Sequence, residues 1–488
     1  MIKRFFNTFL EHPGIPIANP DLIPNSKYVV NTVFASKDLE SLNWLHAYAP
    51  CFPVKASCIR ILNEPSDFYN CLLSKCQEAK RRITLASLYI GTEEPETELV
   101  QAIQNNLNSS QGRLKINILL DFTRGTRGAK DSKSVLLPLL QKHRTSVNLS
   151  LYHTPLLRGL TRKLIPPRWN ELMGLQHMKV YLIDDTVIMS GANLSKNYFT
   201  NRQDRYIMIQ DEALADFYDE FISRVQQFSL QVNADDTIGL HKDWKYYPYK
   251  GDRSNFVNTA RLKVLEHFEQ SMYKYNTEED ADTWVFPLTE MGQLDIHHDS
   301  VVTHKLLSEA PQNSKLKFAT GYFNLTKDYA HTIVNNCRAH CSLLMAHPNA
   351  NGFQGAKGPA GGIPAAYSLL ANKFCTQVKE AEQQERVDVL EYQKPGWSYH
   401  AKGLWYYLPE TDLPVLTIVG SSNFGERSVN RDLEAQMCIV TLSKDLQQRL
   451  ENECRQLFSR GSRAEAKLEE RFIPRWVKLV VGLFRHYF

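Results

Sequence analysis

Short apolar runs and amphipathic stretches alternate along the chain from residue 58 onward. CIRIL and RITLASLYIG have the branched, apolar make-up of strands, and LKINILLDF reads as a strand covered on both faces. Between them, SDFYNCLLSKCQEAK and ETELVQAIQNNL repeat apolar residues at helical spacing. The third strand runs into a basic loop, TRGTRGAKDSK. Strands alternating with helices predict an α/β unit. The second half repeats the order. In KLKFATGYFN, Ala319 and Tyr322 stand where Ala86 and Tyr89 stand in RITLASLYIG, and a helix KDYAHTIVNNCRAH follows. CSLLMAHPNANGFQGAKG is again a buried strand opening into a Gly/Lys loop, so the chain reads as an internal duplication. The expected divisions are an N-terminal extension packed on the body (1–50), two α/β domains (51–230 and 231–470), and an amphipathic surface segment (471–488).

At 488 residues the chain exceeds the usual span of one core, which favours two domains, and its 11% aromatic content supports a real core. A net charge of +4 is too mild to argue for a nucleic-acid partner. The nine cysteines have no regular spacing, which points to reduced thiols. Cys337 and Cys341, read one helical turn apart, have no second ligand pair beside His340, which favours packing over zinc. No window reaches the ~20 apolar residues of a membrane span. The opening MIKRFFNTFLEH is basic and aromatic, readable as a fragment of a mitochondrial presequence, yet short and poor in Arg and Ser.

The duplication continues into residues that carry chemistry. QHMKVYLIDDTVIMSGAN brings His177, Lys179, Asp184 and Asn193, and Asp204 follows in NRQDRY. YHAKGLWYY and VLTIVGSSN bring His400, Lys402 and Asn423, and Glu434 follows in RDLEAQ. Asn193 to Asp204 and Asn423 to Glu434 are the same separation, while LPETDLP lengthens the second hairpin turn. Both units read as strand, turn, strand, with His and Lys on the first strand. Residues i and i+2 of a strand face one side, so each pair points into one space. One such triplet is uninformative; two copies with matched asparagines and acids are not.

These residues resemble the phospholipase D superfamily, whose repeated signature is HxKxxxxD followed by GSxN. HMKVYLID at 177–184 matches the first part in full, and GSSN at 420–423 supplies the second. Within it, LLDFTRGTRG, GLQHMKVYLIDD, SGANLSKNYFTNRQDRY, HAKGLW and GSSNFGERSVNRDLEAQ are similar to the mitochondrial enzymes that join CDP-diacylglycerol to glycerol 3-phosphate. The resemblance runs from about residue 30 to the C-terminus. It departs in SGAN, where Ala192 stands opposite Ser422, and at Tyr407, which replaces the second motif aspartate.

The resemblance implies two phospholipase D-like α/β domains, mixed sheets flanked by helices, related by a pseudo-twofold with the active site at their interface. It implies His177 as nucleophile toward phosphorus, forming a phosphohistidine, and His400 as general acid/base. Lys179, Lys402, Asn193 and Asn423 would contact the non-bridging oxygens, Asp204 and Glu434 would orient the imidazoles, and Asp184 would complete the set. No metal or cofactor is required for that step, although divalent-cation stimulation at a membrane surface stays open. Arg124, Arg127 and Lys130, in a loop after a buried strand, are candidates for the acceptor phosphate or form a solvated basic turn. Lys357, beside Gly355, is a candidate for the nucleotide pyrophosphate, and Ser422 for a substrate contact. Arg202 and Arg205 flank Asp204 and could be simple ion pairs. RFIPRWVKLVVGLFRHYF fits an interfacial helix on an anionic membrane or a helix packed on the body. The implied location is the matrix face of the mitochondrial inner membrane, held peripherally. Rival readings are a phosphatidylserine synthase, a phospholipase D, a nuclease, or a non-catalytic lipid-binding scaffold.

Overall fold

The same run of strands occurs in each half of the computed structural model, which describes residues 34, 36–166, 169–272 and 281–485. The presequence reading of the opening segment lies outside those residues. In the first half the order is Val147–Tyr152, Lys115–Asp121, Arg82–Ala86, Val180–Ile183, Thr186–Ser190, Tyr206–Gln210. In the second it is Val387–Tyr392, His340–Ala346, Lys315–Thr320, Gly403–Tyr407, Leu416–Gly420, Leu433–Thr441. In both, the first three strands are mutually parallel and the rest antiparallel. Parallel neighbours need crossovers, and helices supply them. Pro65–Glu78, which leads from the edge strand Ile59–Leu62 to Arg82–Ala86, starts with proline in its first turn, is closed by a capping box between Glu64 and Asp67, and buries Phe68, Leu72 and Cys76. Glu94–Ser109 makes the crossover from Arg82–Ala86 to its parallel neighbour Lys115–Asp121 and buries Leu99, Ile103 and Leu107.

Three apolar clusters organise the layers. One lies under the outer helices of the first sheet and one under those of the second. The third lies between the sheets and takes Val180, Met189 and Ile207 from the first half with Trp405, Val419 and Met437 from the second. Sheet-on-sheet packing of this kind fixes how the halves face each other. A buried ion pair joins them as well. Arg205 donates to both oxygens of Glu453 at 2.9 Å, to Ile418 O and Thr417 Oγ1 at 2.8 Å, and its guanidinium lies 3.8 Å over the Trp405 ring.

Several details differ from the sequence reading. Phe52–Val54 falls just inside the expected first domain yet pairs with Thr283–Met291 in the second sheet, because that strand would otherwise be an open edge. The helical segment Lys37–Ala47 buries Leu39, Leu42 and Leu45 against the second half. The helix beginning at Lys327 ends in a π-helical turn at Asn336, and His340 opens the next strand. Cys337 and Cys341 therefore do not share a helix; their sulfurs lie 3.7 Å apart, and among the described residues they belong to no three-ligand cluster.

Candidate active site

Neither His177 nor His400 lies within a strand: each sits in an extended lead-in, and the strands proper start at Val180 and Gly403. These lead-ins are where the two halves exchange backbone pairing. Ser398–Tyr399 pairs in parallel with Arg202–Gln203, and Gln176 bridges Leu433. The register puts each histidine beside the acid of the opposite half. His400 N donates to Gln203 O at 2.8 Å and His177 N to Leu433 O at 2.8 Å. One residue on, His177 Nδ1 lies 3.0 Å from both Glu434 oxygens, and His400 Nδ1 lies 2.7 Å from Asp204 Oδ2. Asp121, buried at the end of its strand, accepts from Gln176 N at 3.0 Å and fixes the approach to His177. Gly191 leaves room for the second pair: a Cβ there would come within 2.7 Å of Asp204 Oδ1.

The electrostatics follow from this burial. The His177 side chain is 13% exposed and that of His400 3%. Burial lowers the His177 pKa against the pull of Glu434, so the ring is neutral at pH 7. Glu434 stays ionised, because His177 and Lys179 outweigh the cost of its own burial. The Nδ1 proton thus goes to Glu434, and Nε2 keeps its lone pair. His400 is lowered further, by burial and then by Lys402, Arg202, Lys179 and His177. Burial raises Asp204 to about 6, against Lys402, which still leaves it mostly charged at pH 7.

Both lysines are buried and reach back over their own histidines. Lys179 Nζ donates to His177 O at 2.5 Å; Lys402 Nζ donates to His400 O at 2.7 Å and lies 3.2 Å from its Nε2. Burial lowers Lys179 to about 7 and Lys402 to about 8, and an anion placed between them favours their charged forms. Among the described residues, the buried side-chain oxygens of Asn193 and Asn423 find no hydrogen-bond partner. Buried amides are normally satisfied, so each is set to meet something that enters the site; the oxygen accepts from a donor, and the NH₂ group is the part that can donate to an anion.

Other expected site residues are placed elsewhere. Asp184 lies in the turn beyond its strand, five residues and roughly 16 Å of extended chain from Lys179. Its carboxylate accepts from the backbone N–H groups of Lys80, Arg81 and Arg82 at 2.8–3.1 Å. Burial alone would raise its pKa, but these donors and Arg81 hold it below the usual value. Asp184 closes a turn and, among the described residues, is bonded to no histidine. Asp184→Asn is expected to cost roughly 1–3 kcal/mol of stability in a denaturant titration. That contribution is present above pH ~4 and is lost as the pH falls through the depressed folded-state pKa. Tyr407, at the corresponding place, bonds Glu451 at 2.7 Å, so the second half does without the acid.

Ser422 is buried and hydrogen-bonded to Asp299. Arg127 pairs with Glu171, and Lys130 Nζ donates to Thr92 O at 3.0 Å. Arg124 is different: its guanidinium lies 4.2 Å over the Tyr89 ring. Lys357 is exposed on a loop whose Gly352 approaches Tyr322 and Arg202. The sequence reading passed over Tyr198, whose hydroxyl is 3.3 Å from His400 Nε2, and the site role of Tyr322, edge-on to His400 at 5.4 Å. The repeated tyrosine at 89 and 322 was the available signal.

His177, Asp432 and Glu434 could in principle bring three ligand atoms within 4.8 Å of one another. Their donors are already engaged: Asp432 by Arg427 and Leu175 N, Glu434 by His177 and Ser428. Asp432 and Arg427 frame the His177 side of the site.

Comparison with known proteins shows what similar chains are. The family described as cardiolipin synthase, PLD-like domain, matches residues 72–226. A Homo sapiens protein named CDP-diacylglycerol–glycerol-3-phosphate 3-phosphatidyltransferase, mitochondrial, is 45% identical over 477 residues, covering 91% of this chain and 85% of its own. A Saccharomyces cerevisiae protein named CDP-diacylglycerol–glycerol-3-phosphate 3-phosphatidyltransferase is 34% identical, covering 83% and 82%. Among solved structures, phosphatidylserine synthase from Haemophilus influenzae matches at TM-score 0.71 over 92% of this chain and 98% of that one. At 20% identity this is a likeness of fold alone.

Proposed function

We propose a reaction from one premise: this chain belongs to the CDP-diacylglycerol–glycerol-3-phosphate 3-phosphatidyltransferase family, of the phospholipase D-like fold. It transfers the phosphatidyl group of CDP-diacylglycerol to glycerol 3-phosphate, giving phosphatidylglycerophosphate and CMP. The observation that carries the mechanism is the crossed pair of His–carboxylate contacts, with a buried lysine donating to the backbone oxygen of each histidine. His177 Nε2 attacks the diacylglycerol-side phosphorus, the P–O bond to CMP breaks, and CMP leaves with the electron pair. CMP is a phosphate monoester with a second pKa near ~6, so it needs little proton help. His400 Nε2 then takes the proton of the glycerol 1-hydroxyl, whose oxygen attacks the phosphatidyl-histidine and restores His177. Lys179, Lys402 and the two asparagine amides meet the charge on the non-bridging oxygens, the work of positioning and charge stabilisation that this chemistry asks of a protein. In this reading the chemical step needs no metal, and a divalent ion acts, if at all, at the lipid surface. The direct test supplies CDP-diacylglycerol with glycerol 3-phosphate, serine or water in turn. Product from glycerol 3-phosphate alone is expected; preference for serine or water would overturn the reading in favour of a synthase or lipase of the same fold.

The donor must be drawn from a bilayer, and among the described residues no helix is long and apolar enough to cross one. The helix Arg475–Phe484 buries Val477 and Val481 against the body and exposes Trp476, Leu479 and Leu483, with Phe472 just before it. Phe484 packs with Leu157, Ile165 and Met173 of the first half, which brings the exposed Leu160, Leu164 and Trp169 alongside. Arg162, Lys163, Arg475 and Lys478 intersperse this apolar face with cations, the pattern of a segment that lies in an anionic interface. It supports peripheral attachment, and the relatives' mitochondrial names support the mitochondrion as its place, where we assign it to the inner membrane. Replacing Leu479 and Leu483 by Asp is expected to reduce co-sedimentation with anionic liposomes at least ~10-fold, since each buried leucine contributes about 1.5–3 kcal/mol. Unchanged binding would remove this face from the proposal.

A further inference from the structure

Guanidinium groups near the cleft fall into two kinds. Arg127, Arg205, Arg427 and Arg471 each have a carboxylate within ion-pair distance. Among the described residues, Arg124 and Arg202 have none, and both lie against tyrosine rings instead. Arg202 is half-buried in the parallel ladder that delivers His400. Its Nε donates to Ser398 Oγ at 3.0 Å, and its guanidinium lies 4.7 Å over Tyr198. Tyr198 spans the gap to catalysis, with its hydroxyl 3.3 Å from His400 Nε2. Tyr322 approaches the same place: a Cβ on Gly352 would meet Tyr322 Oη at 3.1 Å and Arg202 Nη2 at 3.2 Å. Tyr89, under Arg124, anchors its hydroxyl on Ser195 Oγ at 3.0 Å and acts on Arg202 as well.

Two cations held without counter-ions, on a floor of phenol rings and beside a general base, form an anion site. Resting on the reaction above, we propose that Arg202 and Arg124 clamp the phosphate monoester of the acceptor on the Tyr89–Tyr198–Tyr322 platform, delivering its distal hydroxyl to His400. A phosphate at Arg202 and a hydroxyl at His400 are separated by about one tyrosine side chain, which suits a three-carbon phosphate. The clamp is then what selects against serine and water, because an acceptor without a phosphate leaves two half-buried cations unmet.

A phosphate monoester also leaves the site as CMP, and the experiment separates these sources. Saturation kinetics of the full chain are measured for Arg202→Gln and Arg202→Lys, varying each substrate in turn and then replacing glycerol 3-phosphate by glycerol. In Arg202→Gln the KM for glycerol 3-phosphate is expected to rise at least 30-fold, the KM for CDP-diacylglycerol less than 3-fold, and the KM for glycerol not at all. Arg202→Lys recovers part of the loss, since it restores the charge without the fork. Arg124→Gln, on a separate element, repeats the split if Arg202 variants fail to fold. A rise confined to CDP-diacylglycerol, or an equal rise for glycerol, would overturn the clamp. No glycerol 3-phosphate-dependent product from the unsubstituted chain would instead overturn the reaction, whatever Arg202 does.

Discussion

Replacing His177 by Gln is expected to lower turnover by roughly 10⁴–10⁶-fold, the scale seen when a catalytic nucleophile is removed. We propose His177 as the nucleophile from the asymmetry of the two histidines. His177 is the more open ring, and Glu434, accepting its Nδ1 proton, leaves Nε2 unprotonated and facing the site. His400 is closed in by Tyr198 and Lys402, a setting suited to taking a proton from a small acceptor. Denaturing gels of enzyme quenched with labelled CDP-diacylglycerol check the assignment. Label is expected on the unsubstituted chain and on His400→Gln, where the second step stalls, and none on His177→Gln. Label retained by His177→Gln and lost from His400→Gln would reverse the roles.

The second large effect crosses the halves. Glu434→Gln is expected to slow formation of the labelled adduct by about 10²–10⁴-fold, because an amide can turn its NH₂ toward Nδ1 and stabilise the wrong tautomer. Ser428, which donates to Glu434 at 2.8 Å, keeps the substituted side chain in place, so the effect falls on chemistry before stability. Asp204→Asn is expected to leave adduct formation within about 10-fold and to slow its discharge to glycerol 3-phosphate, because it acts on His400. Quenched-flow measurement of the two steps decides the matter. If Asp204→Asn blocked the adduct and Glu434→Gln only its discharge, each acid would serve the histidine of its own half, contrary to the geometry.

These expectations differ in how far the sequence reached them. The duplication is visible because strand and helix periods are local, and six corresponding strands keep their order in space. The lysines follow from spacing alone, since two residues of extended chain bring a side chain back to the same face. Asp184 misled for the same reason. It belongs to the motif by spacing, yet a strand carries it to the far end of the sheet, where it binds the backbone at Lys80–Arg82. Among the loop cations, nothing local distinguishes Arg124 from Arg127, because the difference is Glu171, which lies 44 residues away.

Which groups are present was legible in the chain alone: two imidazoles, two ammonium groups, two amides and two acids, carried on a duplicated α/β frame. Their partners were not legible there and follow from the fold. His177 meets Glu434 across 257 residues and His400 meets Asp204 across 196, through ladders between opposite halves. Chain spacing fixes directions over a few residues, whereas contacts at such separations are set by how two sheets bury their apolar faces against one another.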